Sequence, residues 1–521
     1  MARRATNRGL GGGIMAAARR VFKGAARKRE AAFDGASTGR RTRNWLADGG
    51  GVNALTLGSL QMQRNRARDL ARKVPWAASA IEAVAADVVG QGIRPNSQSK
   101  DVRFRDQLKN LWPDWVMESD ADEVLSFYGQ QLLVVRTVIE AGECFIRLRP
   151  RRLHDGLTVP LQIQVIEPEF VPLDNAFGMW PKPGNVIKQG IEFDRLGKRV
   201  AYWIYKNHPH DYSGIGGFNS LEINRVPASE VLHVYKPLRP GQIRGIPWLS
   251  SVILRVRDLL EYEDAELIRK KTAAMFVAFV EKSTAGENPL PEDEDEYGPD
   301  GDDEVAPTSL ETGTVQILAD GETIKFSTPP DSGNNYEAFL KGQLRAIAVA
   351  VGATYEAMTG DYSDSNFSAA RMARNTTQRR TKPFQDTINF QMNQPIMKRF
   401  IEAGILAGEL IALEYHEKPR DYTRTDWVAP GWPYTNPKEE AAADELRIKA
   451  GTASRRKVAR ERGEEVETID AEQAEDNARA DKLGLKYSSD GRYAIKATPD
   501  VAATDTSSES SVSKSKTAGK Q

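Results

Sequence analysis

Five histidines, one cysteine and several dense runs of charge are the side chains of this 521-residue chain from which chemistry could be built. His208 and His210 flank Pro209, and alternate spacing would let both imidazoles face one metal ion. No third ligand is evident beside them, so no metal site is expected. Cys144 lies in the apolar run Glu143 to Leu148 and reads as a small buried hydrophobe rather than a nucleophile. A lone cysteine also excludes a disulfide framework and a cysteine-based zinc site. Glu292 to Glu304 carries nine acidic residues. It lacks the calcium-loop spacing, with its central glycine and distal glutamate, and reads as a solvated loop. There is no phosphate-cradling G-x-x-x-x-G-K-[ST], no H-E-x-x-H, and no strand ahead of the glycines at 9, 11, 12 and 13. Carboxylates are too abundant for one pair to stand out. Neither catalysis nor a cofactor is expected.

Two further polar clusters follow. Thr359 to Ser368 is small, polar and turn-rich. Ser365 or Asn366 is placed to cap the helix that follows. That helix carries Arg371, Arg374, Arg379, Arg380 and Lys382, a basic stripe that serves either a solvated or inter-subunit face or a phosphate track, until Pro383 kinks or breaks it.

These groups must be held by elements that the apolar periodicity locates. Residues 60–90 read as helix restarting at Pro75, and 124–140 as a second helix. Leu161, Ile163 and Val165 alternate with Gln162 and Gln164, the period of a half-buried strand. Glu143–Leu148, Gly190–Phe193, Val200–Tyr205 and Val231–Tyr235 complete a largely antiparallel set, with a hairpin at Asp194–Lys198. From Pro247 the residues Leu249, Val252, Ile253, Val256, Leu259, Leu260 and Ile268 recur every three or four positions, with Arg257/Glu261 and Glu266/Lys270 as i,i+4 pairs. About 35 residues of helix make a rod of ~50 Å. Such a rod cannot bury its apolar stripe alone. A hairpin of Val315–Leu318 with Thr323–Phe326 and a returning helix with Tyr336, Leu340, Leu344, Ile347, Val351 and Tyr355 in register follow. The chain is helical again from Lys438 to about Leu483, with a break near Gly463, and reads as disordered from Ser488.

Length predicts several units, and the overall reading is α+β. The zero net charge hides a split. Residues 1–43 hold twelve bases and two acids, which leaves 60 bases against 70 acids elsewhere. An acidic body argues against a static grip on DNA, because phosphate neutralisation drives such affinity. No apolar run is long enough for a transmembrane helix, and a soluble product in a reducing compartment is expected.

Several stretches together resemble the portal proteins of tailed bacteriophages, of the lambda type. They are Arg68-Asp69-Leu70 with Val88-Val89-Gly90-Gln91-Gly92-Ile93, Trp112-Pro113-Asp114-Trp115 leading to Ala141-Gly142-Glu143, and His233-Val234-Tyr235 running into Arg239-Pro240-Gly241-Gln242-Ile243-Arg244-Gly245-Ile246-Pro247. Leu260-Glu261-Tyr262-Glu263-Asp264-Ala265-Glu266, then Trp427 and Pro437-Lys438-Glu439-Glu440, complete the match. The resemblance implies a structural protein, not an enzyme. It implies a ring, typically of twelve copies, at the portal vertex of the capsid in the virion, assembled in the host cytoplasm. Double-stranded DNA would be packaged through its channel by the large terminase subunit, without sequence specificity, and later ejected. Further implied partners are the major capsid protein and a head–tail adaptor, with no membrane.

The same resemblance implies a basic arm at 1–59, a wing at 60–246, a stem helix at 247–282, a clip with the acidic loop at 283–333 and a returning stem helix at 334–358. A channel loop at 359–368, a long helix and wing return at 369–437, a helical crown at 438–487 and a disordered tail at 488–521 complete it. Ser363, Asp364, Ser365, Asn366, Ser368, Arg371 and Arg374 are then channel or DNA-facing candidates. Arg239, Gln242, Arg244, Glu261 and Asp264 are structural or inter-subunit candidates. A metal-dependent nuclease and a capsid protein without a channel are the alternatives.

Overall fold

The computed structural model describes residues 44, 47–174, 178–211, 222–275, 279–282, 322–325, 336–432, 436–487, 490 and 492. The basic run of residues 1–43, the acidic run 292–304, the expected strand Val315–Leu318 and the residues from 493 onward lie outside these.

Helix α1 (Val52–Lys73) turns Leu60, Ala67 and Leu70 to one buried side. It stops at the extended Val74, where Pro75 opens α2 (Pro75–Val89). Proline suits that first position because its missing N–H would have no partner there. The expected helix over 60–90 is therefore two. After the short strand β1 (Arg94–Ser97) comes α3 (Val102–Glu118), its N-terminus capped by the Asp101 carboxylate accepting from Phe104 N–H. No element was expected at α3, since Trp112-Pro113-Asp114-Trp115 figures in the sequence only as part of the resemblance. Pro113 is carried inside it, and the burial of Trp112 and Trp115 holds the turn. Those two rings meet Phe127 and Phe400 at centroid distances of 5.0–5.4 Å. The Trp115 indole also donates to the Leu161 carbonyl at 2.7 Å.

Helix α4 (Phe127–Ala141) ends at Gly142, whose φ of 92° reverses the chain straight into β2 (Glu143–Pro150). Strand β3 (Leu161–Ile166) pairs antiparallel with β2. A second antiparallel sheet runs in the order β4 (Val186–Lys188), β5 (Ile191–Phe193), β6 (Arg199–Tyr205) and β7 (Ile223–Pro227). Strand β8 (Val231–Tyr235) then returns to the other edge of β2. Phe145, Ile191, Tyr202, Ile204, Val226 and Val231 form a small core shared by the two sheets. A larger one unites α1–α4, the outer side of β2 and the later helices.

A single 3₁₀ turn at Trp248–Ser251 leads into α5 (Ile253–Met275). At 23 residues this is about 34 Å of helix, shorter than the rod expected over 247–282. The apolar period gives out at Ile268, and the segment beyond, Phe276-Val277-Ala278-Phe279-Val280, has the β-branched and aromatic composition of a strand. Phe279–Lys282 is strand β9, and it pairs antiparallel with β10 (Glu322–Lys325). The expected partner of that second strand was Val315–Leu318.

The returning helix is also two. Gly352, at φ 98°, ends α6 (Tyr336–Val351), and Thr354 caps α7 (Tyr355–Thr359). Helix α8 (Phe367–Ile388) passes through Pro383 without a break, contrary to expectation. The carbonyl that Pro383 leaves without an intrahelical donor belongs to Arg379, an exposed position where water can satisfy it. The irregularity comes instead at a π turn, Asn389–Asn393, before α9 (Gln394–Ala407). There Asn393 donates to Asn389 Oδ1 and accepts from Gln131, so buried side chains fill the widened turn.

Helix α10 (Pro419–Thr423) precedes β11 (Thr425–Val428), which pairs antiparallel with β1. Helices α11 (Pro437–Lys449), α12 (Arg455–Glu461) and α13 (Val466–Leu483) close the chain. Breaks therefore fall after Lys449 as well as at Gly463. No helix among the described residues is long and apolar enough to cross a membrane.

Candidate functional site

The junction between the strands and α5 is organised by one buried carboxylate. Glu143 is the first residue of β2, and both oxygens are saturated. Arg244 Nε donates to Oε1 at 2.7 Å, and the Arg64 guanidinium from α1 joins it on the same oxygen. Oε2 accepts from the Gly245 N–H at 2.8 Å and faces His233 Nε2 at 2.8 Å. Burial works against the charge, but Arg244 and Arg64 outweigh it and, with His233, hold the carboxyl well below the usual range. Burial also lowers Arg64, to about 10.

Arg244 is wholly buried and spends its remaining donors on main chain. Nη1 reaches the Gln189 carbonyl at 2.8 Å, and Nη2 the Pro168 and Val171 carbonyls at 3.2 Å each. A planar guanidinium can serve four acceptors in one plane, which lysine cannot. Gln242 shapes the turn itself. Its amide oxygen accepts from Leu238 and Arg239 N–H, and its amide nitrogen donates to the Arg244 carbonyl. Tyr235 donates to the Gln242 carbonyl at 2.9 Å. Arg239 is exposed and reaches only the Gly50 carbonyl, at 3.4 Å. The motif thus gathers α1, β2, β8 and the second sheet where α5 departs.

Two backbones touch at this point. Gly142 and Gly245 lie so close that a Cβ on Gly245 would meet the Gly142 carbonyl oxygen at 2.0 Å. Only glycine fits, a case of close approach rather than of turn geometry.

Burial pushes His233 down to about 4, despite its hydrogen bond to Glu143. The unfolded chain protonates this ring near ~6.5. The folded state holds it neutral, so its contribution is fully present above pH ~6.5 and is lost as pH falls toward 4. Glu143 adds to the loss below its own unfolded value of 4.5. Urea midpoints measured across pH 8 to 4 should be level at the alkaline end and fall through this window. A level profile down to pH 4 would contradict the geometry.

The other cluster lies between α7 and α8. Asp361 Oδ1 accepts from the Ser363 hydroxyl and N–H, and Oδ2 from the Tyr355 hydroxyl. These bonds, led by Ser363, hold the Asp361 carboxyl down at about 2. Lys341 on α6 bridges Asp364 at 3.0 Å and Glu337 at 2.8 Å. Ser365 donates to the Tyr362 carbonyl, and Asn366 is the cap of α8. Ser368 and Arg371 are exposed. Arg374 turns toward the Trp432 carbonyl at 3.0 Å and Glu440 at 3.9 Å. Asp87, Tyr362, Ser365, Arg374 and Trp432 wall a cleft here, and burial alone pushes Asp87 up to about 6.

On α5, Val256 and Leu259 are buried against this chain's own helices, whereas Leu254, Leu267 and Ile268 stand exposed. Glu261 pairs with Arg257 at 2.8 Å, and Asp264 is exposed. The pair expected between Glu266 and Lys270 spans 3.8 Å, while Arg269 sits closer to Glu266, at 2.7 Å. Cys144 is fully buried and its thiol is raised by burial, as a core residue should be. The sequence did not reveal Glu143 and Arg64 as members of the junction. Glu143, at the head of the apolar run Glu143–Leu148, was the available signal; Arg64, inside the polar run Gln61–Asp69, offered none.

A family model described as phage portal protein, lambda family, matches residues 38–385. The "Probable portal protein" of Halomonas phage phiHAP-1 is 26% identical over 437 residues, covering 81% of each chain. "Portal protein B" of Escherichia phage lambda is 21% identical over 490 residues, covering 87% of this chain and 90% of its own. Among solved structures, the neck of a native gene transfer agent particle computed with C12 symmetry aligns at a TM-score of 0.42 and 12% identity, over 74% of this chain and 89% of that one. With the motif 239–247 forming the buried junction and the family match spanning most of the described body, the chain belongs to the lambda family of phage portal proteins.

Proposed function

We propose that this chain is the repeating subunit of a closed ring, typically of twelve copies, at the portal vertex of a capsid. Double-stranded DNA would enter through its channel, driven by the large terminase subunit, and leave by the same route. Family membership supports this reading, and one structural observation carries it: α5 leaves apolar side chains open to solvent, two of them, Leu254 and Ile268, off its core-facing side and one, Leu267, beyond the end of the core. Leu254, Leu267 and Ile268 are 71%, 51% and 63% exposed, and Phe339 and Val349 on α6 extend the surface. Phe339 packs against Tyr262 of α5 at a centroid distance of 4.8 Å, but among the described residues the chain leaves the rest of this surface open to solvent. Copies related by rotation would cover it with heterologous contacts, which close into a ring.

In this reading residues 60–246 form the wing, α5 and α6 the stem, and 283–333 the clip. The segment 359–368 faces the lumen, and 438–487 forms the crown. Ser363, Asp364, Ser365 and Asn366 mostly hold the loop's own shape, leaving Ser368, Arg371 and the main chain to meet the duplex. An acidic body suits a conduit, since strong phosphate attraction would retain DNA rather than pass it. Arg239, Gln242 and Arg244 hold the base of the stem, while Glu261 and Asp264 lie on its flank. The ring would assemble in the host cytoplasm and meet the major capsid protein, a head–tail adaptor and the terminase.

Native mass spectrometry and negative-stain imaging of the full chain should show closed rings. The double variant Leu267→Glu/Ile268→Glu should yield monomer with unchanged helical content by circular dichroism. Rings of normal size from that variant would overturn the stem contact, and a well-folded monomeric wild type would overturn the reading as a whole.

A further inference from the structure

We propose that Glu167, Glu169 and His208 form a binding site for one borderline divalent transition-metal cation of the zinc type. The three residues come from different places, the end of β3 and the loop after β6. One ligand atom from each lies within 4.8 Å of the others, the reach of a single ion. His208 and His210 alone lack a third donor. The fold supplies it by bringing β3's C-terminal Glu167-Pro168-Glu169 alongside the loop.

What points to a ligand is a pair of orphaned atoms. The Glu169 side chain is only 2% exposed, and its Oε1 is buried without a hydrogen-bond partner. His208 Nε2 is likewise buried and makes no hydrogen bond, although it lies 3.1 Å from Glu167 Oε2. Buried polar atoms left unmatched are rare, and two in one cluster call for a common partner. Arg68 does not fill that role. Its Nη2 lies 3.0 Å from Glu169 Oε2 and 3.3 Å from Glu167 Oε1. Each carboxylate thus gives one oxygen to the guanidinium; the other oxygen of Glu167 lies against His208, and that of Glu169 is left unpaired. Outer donors of this kind orient ligating carboxylates.

The donor set selects the cation. One imidazole and two carboxylates suit zinc and its neighbours, while calcium and magnesium prefer oxygen alone. Coordination through Nε2 requires its lone pair, so the ring proton must sit on Nδ1. The His210 N–H, now 3.2 Å from Nδ1, must therefore swing away when metal enters. The bound ion would fasten the loop 206–211 to α1 through Arg68 and to the end of β3.

The test is isothermal titration of chelator-treated full-length protein with zinc chloride, repeated with magnesium chloride. Cobalt substitution provides a visible d–d spectrum. Expected are one saturable zinc site per chain, no comparable magnesium binding, and a tenfold or greater loss of zinc affinity in His208→Ala and in Glu169→Gln. His416→Ala, remote in sequence, should bind as wild type. Should Glu169→Gln unfold the chain, His208→Ala, on a partly exposed loop, still decides. Absence of saturable zinc binding, or full affinity retained in His208→Ala, would overturn the site, as would equal affinity for magnesium.

Discussion

Arg244→Ala should cost about 3–5 kcal/mol of subunit stability, because it strands a buried carboxylate rather than merely deleting an ion pair. Glu143 would keep Arg64 and His233 but lose its 2.7 Å contact with Arg244. The main-chain carbonyls of Pro168, Val171 and Gln189 would lose this donor at the same time, although Pro168 keeps the Val171 N–H. Arg244→Lys should recover only part of the loss, since an ammonium supplies charge without the planar fork. Denaturant unfolding at pH 7.5 measures both. A change of less than about 1 kcal/mol for Arg244→Ala, the range of an exposed ion pair, would show that the junction is not the structural centre described.

Gly245→Ala should be nearly as severe, about 3 kcal/mol or failure to fold, although it adds one methyl group. The added carbon would sit 2.0 Å from the Gly142 oxygen and 2.6 Å from its carbonyl carbon, and both are backbone atoms that cannot rotate aside. Gly142 cannot yield, because its left-handed φ ends α4 and starts β2. The informative control is Gly342→Ala on α6, where the new carbon meets nothing within 4 Å. Alanine in a helix interior is favoured over glycine by ~0.5–1 kcal/mol, so that variant should be slightly more stable. Equal melting behaviour for the two variants would remove the case for backbone contact at Gly245.

Periodicity exposed the parts of the fold whose signals are local. The alternation Leu161, Ile163, Val165 is strand β3, and the Asp194–Lys198 hairpin is closed by the Asp194 side chain accepting from Leu196 and Lys198 N–H. Pro75 starts a helix as read, whereas Pro383, read as a kink or break, does not end its helix, where Phe384 is buried beside it; Pro113 too is carried inside a helix, beside the buried Trp112 and Trp115. The stem was overextended because an apolar composition continues past Met275 after the helical period has ended.

Gln242 and Arg244 entered as structural candidates through the family resemblance of the motif that precedes the long helix. Their shared partner did not, since Glu143 is 101 residues from Arg244 and nothing in the sequence ties the two. The same holds for Glu167, Glu169 and His208, which only the pairing of separate strands brings together.

The Glu143 cluster draws on positions 64, 143, 233 and 244, so it closes only after the chain has been synthesised past residue 244 and folded back. Contacts of such long separation form late. Until then a nascent subunit carries a desolvation-prone acid without its bases, and the base of α5 stays unanchored. In the ring proposed above, a chain that has not finished folding would lack the rigid footing its sister copies need.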